Sequence, residues 1–194
     1  MALGATKTRN LVLAALIGLF ALFVSAGPAA EQASANGPCN MWGDKQSNEI
    51  RKGQARKAVL CLLNRERKQR GLRVLDRSKK LQAASQNHND YMQNKNCFSH
   101  QCPGEASLTG RLQKVDWLGG GLSAWAYGEN IAWGSRSYGT PESIVKQWMN
   151  SSGHRANILS SRFDEVGVGY TKGTISSKGA NGSIMTTDFG WKVG

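Results

Sequence analysis

Residues 165–170 read Glu-Val-Gly-Val-Gly-Tyr. Val166, Val168 and Tyr170 alternate with Gly167 and Gly169, which is the period of a strand. One face is apolar and the other carries no side chain, so another element must pack against that bare face at close range. Downstream, residues 172–182 are rich in Gly and Ser and read as a loop, and Ser183–Phe189 reads as the returning strand. Upstream, the pattern changes to helical spacing. Thr140-Pro141-Glu142 combines a cap, a proline in the first turn and an acid at the positive end of the helix dipole. Ile144, Val145, Trp148 and Met149 form its buried stripe, and Ser152-Gly153 marks its expected end.

Residues 117–128 carry enough glycine to predict a loop, and Asn130–Trp133 predicts a brief strand. Ser107–Val115 predicts a short helix. Leu81, Ala84, His88, Tyr91 and Met92 share one helical face, capped by Ser78 or Asp76. That places His88 on a buried stripe, where a lone histidine is expected to pack rather than ligate. Positions 55, 58, 59, 62 and 63 give a further helix within 48–70, stopped at Gly71. Helices first and a hairpin last indicate an α+β fold with an antiparallel sheet.

The chain has 194 residues and a formal charge of +12. That length suits one domain with a real core. It excludes a large enzyme with separate cofactor and substrate domains, and the charge excludes an acidic disordered chain. Lys7 and Arg9 precede the apolar run Leu11–Val24, which is shorter than the ~20 residues of a spanning helix. Small residues follow from Ser25 to Ala30. The pattern is that of a secretory signal peptide over residues 1–26, with Ala30 as a later cleavage point. Residues 27–47 then form a polar tail and 48–194 the domain. No second apolar run follows, so the mature chain is expected outside the cell with no transmembrane segment.

Lys45 to Lys80 holds 13 basic and 3 acidic residues. Such a face either keeps an exported protein soluble or steers it toward anionic cell-envelope polymers or lipid headgroups. No base-reading motif accompanies it, so nucleic acid is not an expected partner. The four cysteines all follow the leader, and export favours disulfides. Cys97 and Cys102 are close enough for a local loop, which leaves Cys39 with Cys61. The spacing of Cys97, His100 and Cys102 does not match a structural zinc site.

His100 lies inside the Cys97–Cys102 loop, Glu129 sits in Y-G-E-N, and His154 in S-S-G-H-R just past a predicted helix end. Two imidazoles and a carboxylate can hold a divalent ion such as zinc, with His100 and His154 as its ligands. They can do acid–base work. They can also simply tie loops together.

Five stretches in order resemble the CAP superfamily, also called SCP/PR-1-like, in its secreted bacterial form. They are C-F-S-H at 97–100, Y-G-E-N-I-A-W-G at 127–134, W-M-N-S-S-G-H-R-A-N-I-L at 148–159, E-V-G-V-G-Y at 165–170 and D-F-G at 188–190. The resemblance spans about residues 55–191. It implies an α-β-α sandwich with a small antiparallel sheet between helices. It also implies a cavity of two histidines and two acids, in some members binding zinc or another divalent ion. His100, Glu129 and His154 match three of those positions. The fourth is Ser151 instead of a glutamate, which weakens attraction for a cation. The resemblance favours a secreted binding or interaction module over an enzyme. The alternative is a metal-assisted hydrolase, such as a protease, using His100, Glu129 and His154.

Overall fold

The structure is a computed structural model and describes residues 37–178 and 180–194. The predicted signal peptide lies outside the described residues. Six helix-and-strand signals land where the sequence puts them. Helix α1 (Pro38–Trp42) is followed by α2 (Lys52–Lys68), strand β1 (Asp76–Arg77), α3 (Lys79–Lys95) and α4 (Leu108–Lys114). Strand β2 (Ala124–Ser135), a 3-10 turn (Arg136–Gly139), α5 (Pro141–Asn150) and α6 (Ser152–Leu159) come next. Strands β3 (Glu165–Lys172) and β4 (Gly182–Val193) close the chain.

The sheet order is β1-β3-β4-β2, antiparallel except for the two-residue parallel pairing of β1 with β3. Helix α3 covers one face, and α2, α5 and α6 cover the other. This is the α-β-α sandwich. On the second face, Val166, Val168 and Tyr170 meet Val59, Leu62, Ile144, Trp148 and Phe189 in the main core. Burying each such side chain is worth ~1.5–3 kcal/mol. On the first face, Gly167 and Gly169 let the α3 backbone lie directly on β3. A Cβ at Gly167 would collide with the main chain at Leu81 and Gln82, and one at Gly169 with that at Ser85 and Gln86. The bare face of the strand is thus the seat of a helix.

The capping signals hold. Ser78 accepts a hydrogen bond from the Leu81 amide, and Thr140 accepts one from Ser143. Gly71 adopts φ +68° just beyond α2, the left-handed backbone that glycine tolerates best. Both disulfides form as expected, Cys39–Cys61 and Cys97–Cys102.

Three boundaries differ from the sequence reading. Part of the tail is helical: α1 is short but pinned to α2 by Cys39–Cys61. The glycine-rich 117–128 stretch yields β2 from Ala124 onward, because the strand pairs residue for residue with β4 from Ala124↔Val193 to Ser135↔Gly182. Tertiary pairing overrides the low strand propensity of glycine there. Helix α5 ends at Asn150, and Ser151 is both its C-cap and the N-cap of α6, so Ser152-Gly153 open a new helix and His154, past the end of α5, lies within α6.

Candidate functional site

Edge strand β2 supplies the centre of the site. Its residues alternate, so Glu129 points to the α3 side while Gly128 and Asn130 point toward α6. Helix α6 is clamped to this strand by amide side chains. Asn157 donates to the Glu129 carbonyl (3.2 Å) and to Asn130 Oδ1 (2.9 Å), and Asn130 donates to the His154 carbonyl (3.1 Å). A Cβ at position 128 would fall 2.8 Å from Asn157 Oδ1, so the glycine of Y-G-E-N makes room for the clamp. Trp148, fully buried, donates its indole N–H to the Ile131 carbonyl (3.1 Å) and holds α5 to the same strand.

The Glu129 side chain is 2 % exposed and both of its oxygens are engaged. His100 Nδ1 lies 2.8 Å from Oε1, and Arg111 Nη2 donates to Oε2 at 2.8 Å. Burial alone would push the Glu129 carboxyl up; the His100 hydrogen bond and the Arg111 charge outweigh it and hold the carboxyl below its ordinary value. With Glu129 ionised, His100 donates to it through Nδ1. The ring is 59 % exposed. The Cys97–Cys102 bridge fixes the loop that presents it, and Arg111 braces that loop by donating to the His100 carbonyl (3.1 Å).

Beside this pair runs a groove of about 260 Å³ lined by Phe98, Trp133, Gln147, Trp148, Ser151 and His154. Phe98 and Trp133 stay 44 % and 42 % exposed. The His154 imidazole is held below its ordinary pKa by burial and, secondarily, by the charge of His100, so the two rings are electrostatic neighbours. The four sequence-derived site residues fall into two pairs near the β2 edge: His100 is bonded to Glu129, and Ser151 lines the groove with His154.

Four titratable groups lie behind Glu129. His88, fully buried, places Nδ1 2.7 Å from Glu105 Oε1, and its Nε2 lies 3.9 Å from Glu129 Oε2. Arg111 Nη1 donates to Glu105 Oε1 at 3.2 Å. Asp188 stands opposite Glu129 in the β2–β4 register, and neither of its carboxyl oxygens has a hydrogen-bond partner. Burial, reinforced by the Glu129 charge, pushes the Asp188 carboxyl well above its ordinary value. His88 packs on α3, as its helical stripe indicates, and stays out of hydrogen-bond reach of Glu129. Glu105 and Arg111 carry no local signal, and Asp188 stands out only as the first residue of the D-F-G stretch, with no site role read there. Arg111 reads as an exposed cation on a short helix, and only the alternation of β4, once its register with β2 is known, puts Asp188 beside Glu129.

A zinc centre with protein ligands normally uses three or four side chains. Among the described residues no three His, Cys, Asp or Glu side chains are grouped to hold a metal ion. Glu129 serves as the orienter of His100, Ser151 replaces the second acid, and both cysteines near His100 are in a disulfide. The residues present supply two imidazoles and do not fit such a centre.

The Cysteine-rich secretory protein family (CAP) model matches residues 60–186. The chain belongs to the CAP family. This CAP domain is 38 % identical over 133 residues to YkwD of Bacillus subtilis, an uncharacterized protein, covering 69 % of this chain and 46 % of that one. It is 32 % identical over 116 residues to YlbC, an uncharacterized membrane protein of the same organism, covering 60 % of this chain and 31 % of that one. The chain thus spans less than half the length of these curated relatives. Among solved structures, an outer surface protein of Borrelia burgdorferi superposes with a TM-score of 0.61 at 18 % identity, covering 77 % of this chain and 99 % of that one. An extracellular SCP-domain protein of Bacillus anthracis superposes with a TM-score of 0.55 at 24 % identity, covering 72 % and 43 %. These two likenesses support the α+β CAP fold.

Proposed function

We propose that this CAP domain is an exported binding module acting at the cell envelope or outside the cell. On this reading, His100, Ser151, His154 and the aromatic-edged groove beside them recognise a ligand instead of hydrolysing one. The observation that carries the reading is the state of Glu129. Its carboxylate is buried and committed at both oxygens to His100 and Arg111, so it cannot approach a substrate or a bound ion. The two disulfides support export, because such bonds persist in oxidising compartments.

The basic segment 45–80 supports an anionic envelope partner, in a reduced form. Arg67 is buried, donating to the carbonyls of Arg73, Ile158, Ser160 and Phe163, and so holds the fold together without facing solvent. Arg65, Arg70 and Lys80 are paired with Glu142, Glu66 and Asp116. Lys52, Lys57, Lys68 and Lys79 remain exposed. The test is retention of the oxidised mature protein on isolated envelope material as salt is raised. Release by salt is the expected result, and retention indifferent to salt would remove the electrostatic part of the reading.

A second reading, hydrolysis, draws on the exposed His100 ring oriented by Glu129, the arrangement of a general base and its partner. Turnover of peptide or ester substrates, abolished in both His100→Ala and His154→Ala with the melting temperature unchanged, would put the hydrolase in place of the binding module.

A further inference from the structure

At the opposite edge of the sheet from the groove, where α2 crosses β1 and β3, lies a pocket of about 130 Å³. Its walls include Leu60, Val166 and Val168, and its rim carries Arg56, Lys57 and Arg77. Among the described residues no carboxylate lies within ion-pair distance of any of these three cations.

The three are held together by the fold. Arg56 lies on the α2 face that looks toward α3, and its Nη2 donates to Gln86 Oε1 (2.6 Å). Gln86 is itself fixed, accepting from the Tyr170 amide (3.1 Å) and donating to Asp90 (2.8 Å) and Thr171 (2.7 Å). Arg77 is placed by the pairing of β1 with β3, opposite Val166, and its Nε donates to Gln82 (3.0 Å). The Arg56 Nε hydrogen is buried with no acceptor. Burial first and the neighbouring Arg77 charge second hold the Arg56 guanidinium below its ordinary pKa, with the Asp90 charge offsetting only part of this, which marks the two guanidinia as mutually repelling. Two guanidinia and an ammonium gathered around an apolar floor, one with an unsatisfied buried donor, leave room and charge for an anion.

We propose that the pocket bounded by Arg56, Lys57, Arg77, Leu60, Val166 and Val168 binds a phosphorylated amphiphile. The phosphate oxygens would sit between the two guanidinia and the lysine, and the first carbons of the apolar stem on Leu60, Val166 and Val168. The guanidinium fork suits a phosphate, and the apolar floor offers a hydrocarbon stem a contact that inorganic phosphate cannot make. This deepens the envelope part of the proposed function by naming one chemistry that its basic face takes, at a place separate from the groove.

The experiment is calorimetric titration of the oxidised protein with monomeric dihexanoyl phosphatidic acid, beside inorganic phosphate, at low and at physiological salt. Two double variants of equal charge change are compared: Lys57→Gln with Arg77→Gln in the pocket, and Lys68→Gln with Arg70→Gln some 16 Å further along or beyond α2. The expected result is one-to-one binding of the lipid, weaker binding of phosphate, and a loss of about tenfold or more in affinity only for the pocket variant. Melting temperatures of both variants are measured first. Equal losses in the two variants would reduce the effect to diffuse electrostatics and overturn the proposal. So would phosphate binding as tightly as the lipid, or no binding by the wild type. Envelope retention run on the same variants separates the two ideas: salt-released retention that survives in the pocket variant leaves the envelope reading standing while the lipid pocket falls.

Discussion

Glu129 and Asp188 stand directly opposite one another on β2 and β4, and the fold charges one while discharging the other. Glu129 has two cationic or hydrogen-bonding partners, His100 and Arg111; Asp188 is fully buried with no partner for its carboxyl oxygens. The Glu129 carboxyl is held below its ordinary value and the Asp188 carboxyl is driven well above its own. An aspartate raised in the folded state binds a proton that the unfolded chain has already released. Its contribution therefore turns increasingly unfavourable as pH rises from the unfolded pKa of about 4 toward the folded one. Asp188→Asn removes that penalty. Urea unfolding of both proteins between about pH 4 and pH 8 is expected to show the difference moving in favour of the asparagine variant by more than ~1 kcal/mol. A pH-independent difference would mean that Asp188 is ionised in the fold.

His154 gives a second prediction with the opposite sign. Burial and the His100 charge keep its imidazole below the ordinary pKa near 6.5. A histidine depressed in the folded state contributes stability above the unfolded pKa and loses it as pH falls through that value toward the folded pKa. His88 acts in the same direction, burial being the larger cause and only partly offset by Glu129. Replacing His100 by Gln leaves the burial of His154 in place and removes the charge. The His154 pKa, followed by imidazole proton resonances, is expected to rise in that variant while staying below 6.5. An unchanged value would place the two rings out of electrostatic contact and separate His154 from the His100–Glu129 pair.

Much of this architecture was legible because it rests on short-range chemistry. The alternation at 165–170 announced both a strand and the close approach of a helix, and Gly167 and Gly169 accommodate α3 as that pattern requires. Thr140, Pro141 and Ser78 marked helix starts by supplying caps and a preset φ. His100, Glu129 and His154 stood out because each lies in a tight polar motif. What escaped was set by tertiary contact. The Gly-rich approach to Glu129 became strand only because β4 pairs along its whole length. The buried partners Glu105, Arg111 and Asp188 come from three separate elements that meet only in the folded sandwich. Arg67 looked like one more surface cation, yet four carbonyl groups from distant turns converge on it.

The two disulfides are expected to divide stability and site geometry between them. Cys39–Cys61 closes a loop with a sequence separation of 22 and Cys97–Cys102 one of 5. Loop-closure entropy assigns roughly 3 kcal/mol to the longer bond and roughly 2 kcal/mol to the shorter. Cys39→Ser with Cys61→Ser should therefore lower stability more, while leaving the His154 resonance where it is. Cys97→Ser with Cys102→Ser should cost less stability but free the loop that presents His100, and so shift His154 toward the value seen in His100→Gln. Chemical denaturation and imidazole titration of the two double variants check both halves. A His154 resonance that moves only in the Cys39/Cys61 variant would show that α1, and not the His100 loop, holds the site.

Two glycines make a matched test of the idea that β3 seats a helix. Gly167 and Gly53 become alanine by the same added methyl group. At Gly167 the new Cβ meets the α3 backbone at Leu81 and Gln82, which cannot yield without lifting the helix off the sheet and breaking the Ser85 hydrogen bond to the Gly167 carbonyl (3.2 Å). At Gly53, in the first turn of α2, the Cβ meets nothing within 4 Å. Alanine there removes backbone freedom from the unfolded chain and gains up to ~1 kcal/mol of helix propensity. Gly167→Ala is expected to lose ~3 kcal/mol or more, in the range of severe overpacking, and to disturb Glu129 through Asp188, whose amide donates to the same Ser85 hydroxyl (3.2 Å). Gly53→Ala is expected to be neutral or stabilising. Thermal and urea unfolding of the pair measure both directions at once. If Gly167→Ala proved as harmless as Gly53→Ala, α3 would not rest on the bare face of β3, and the placement of His88 and Asp188 behind the site would lose its support.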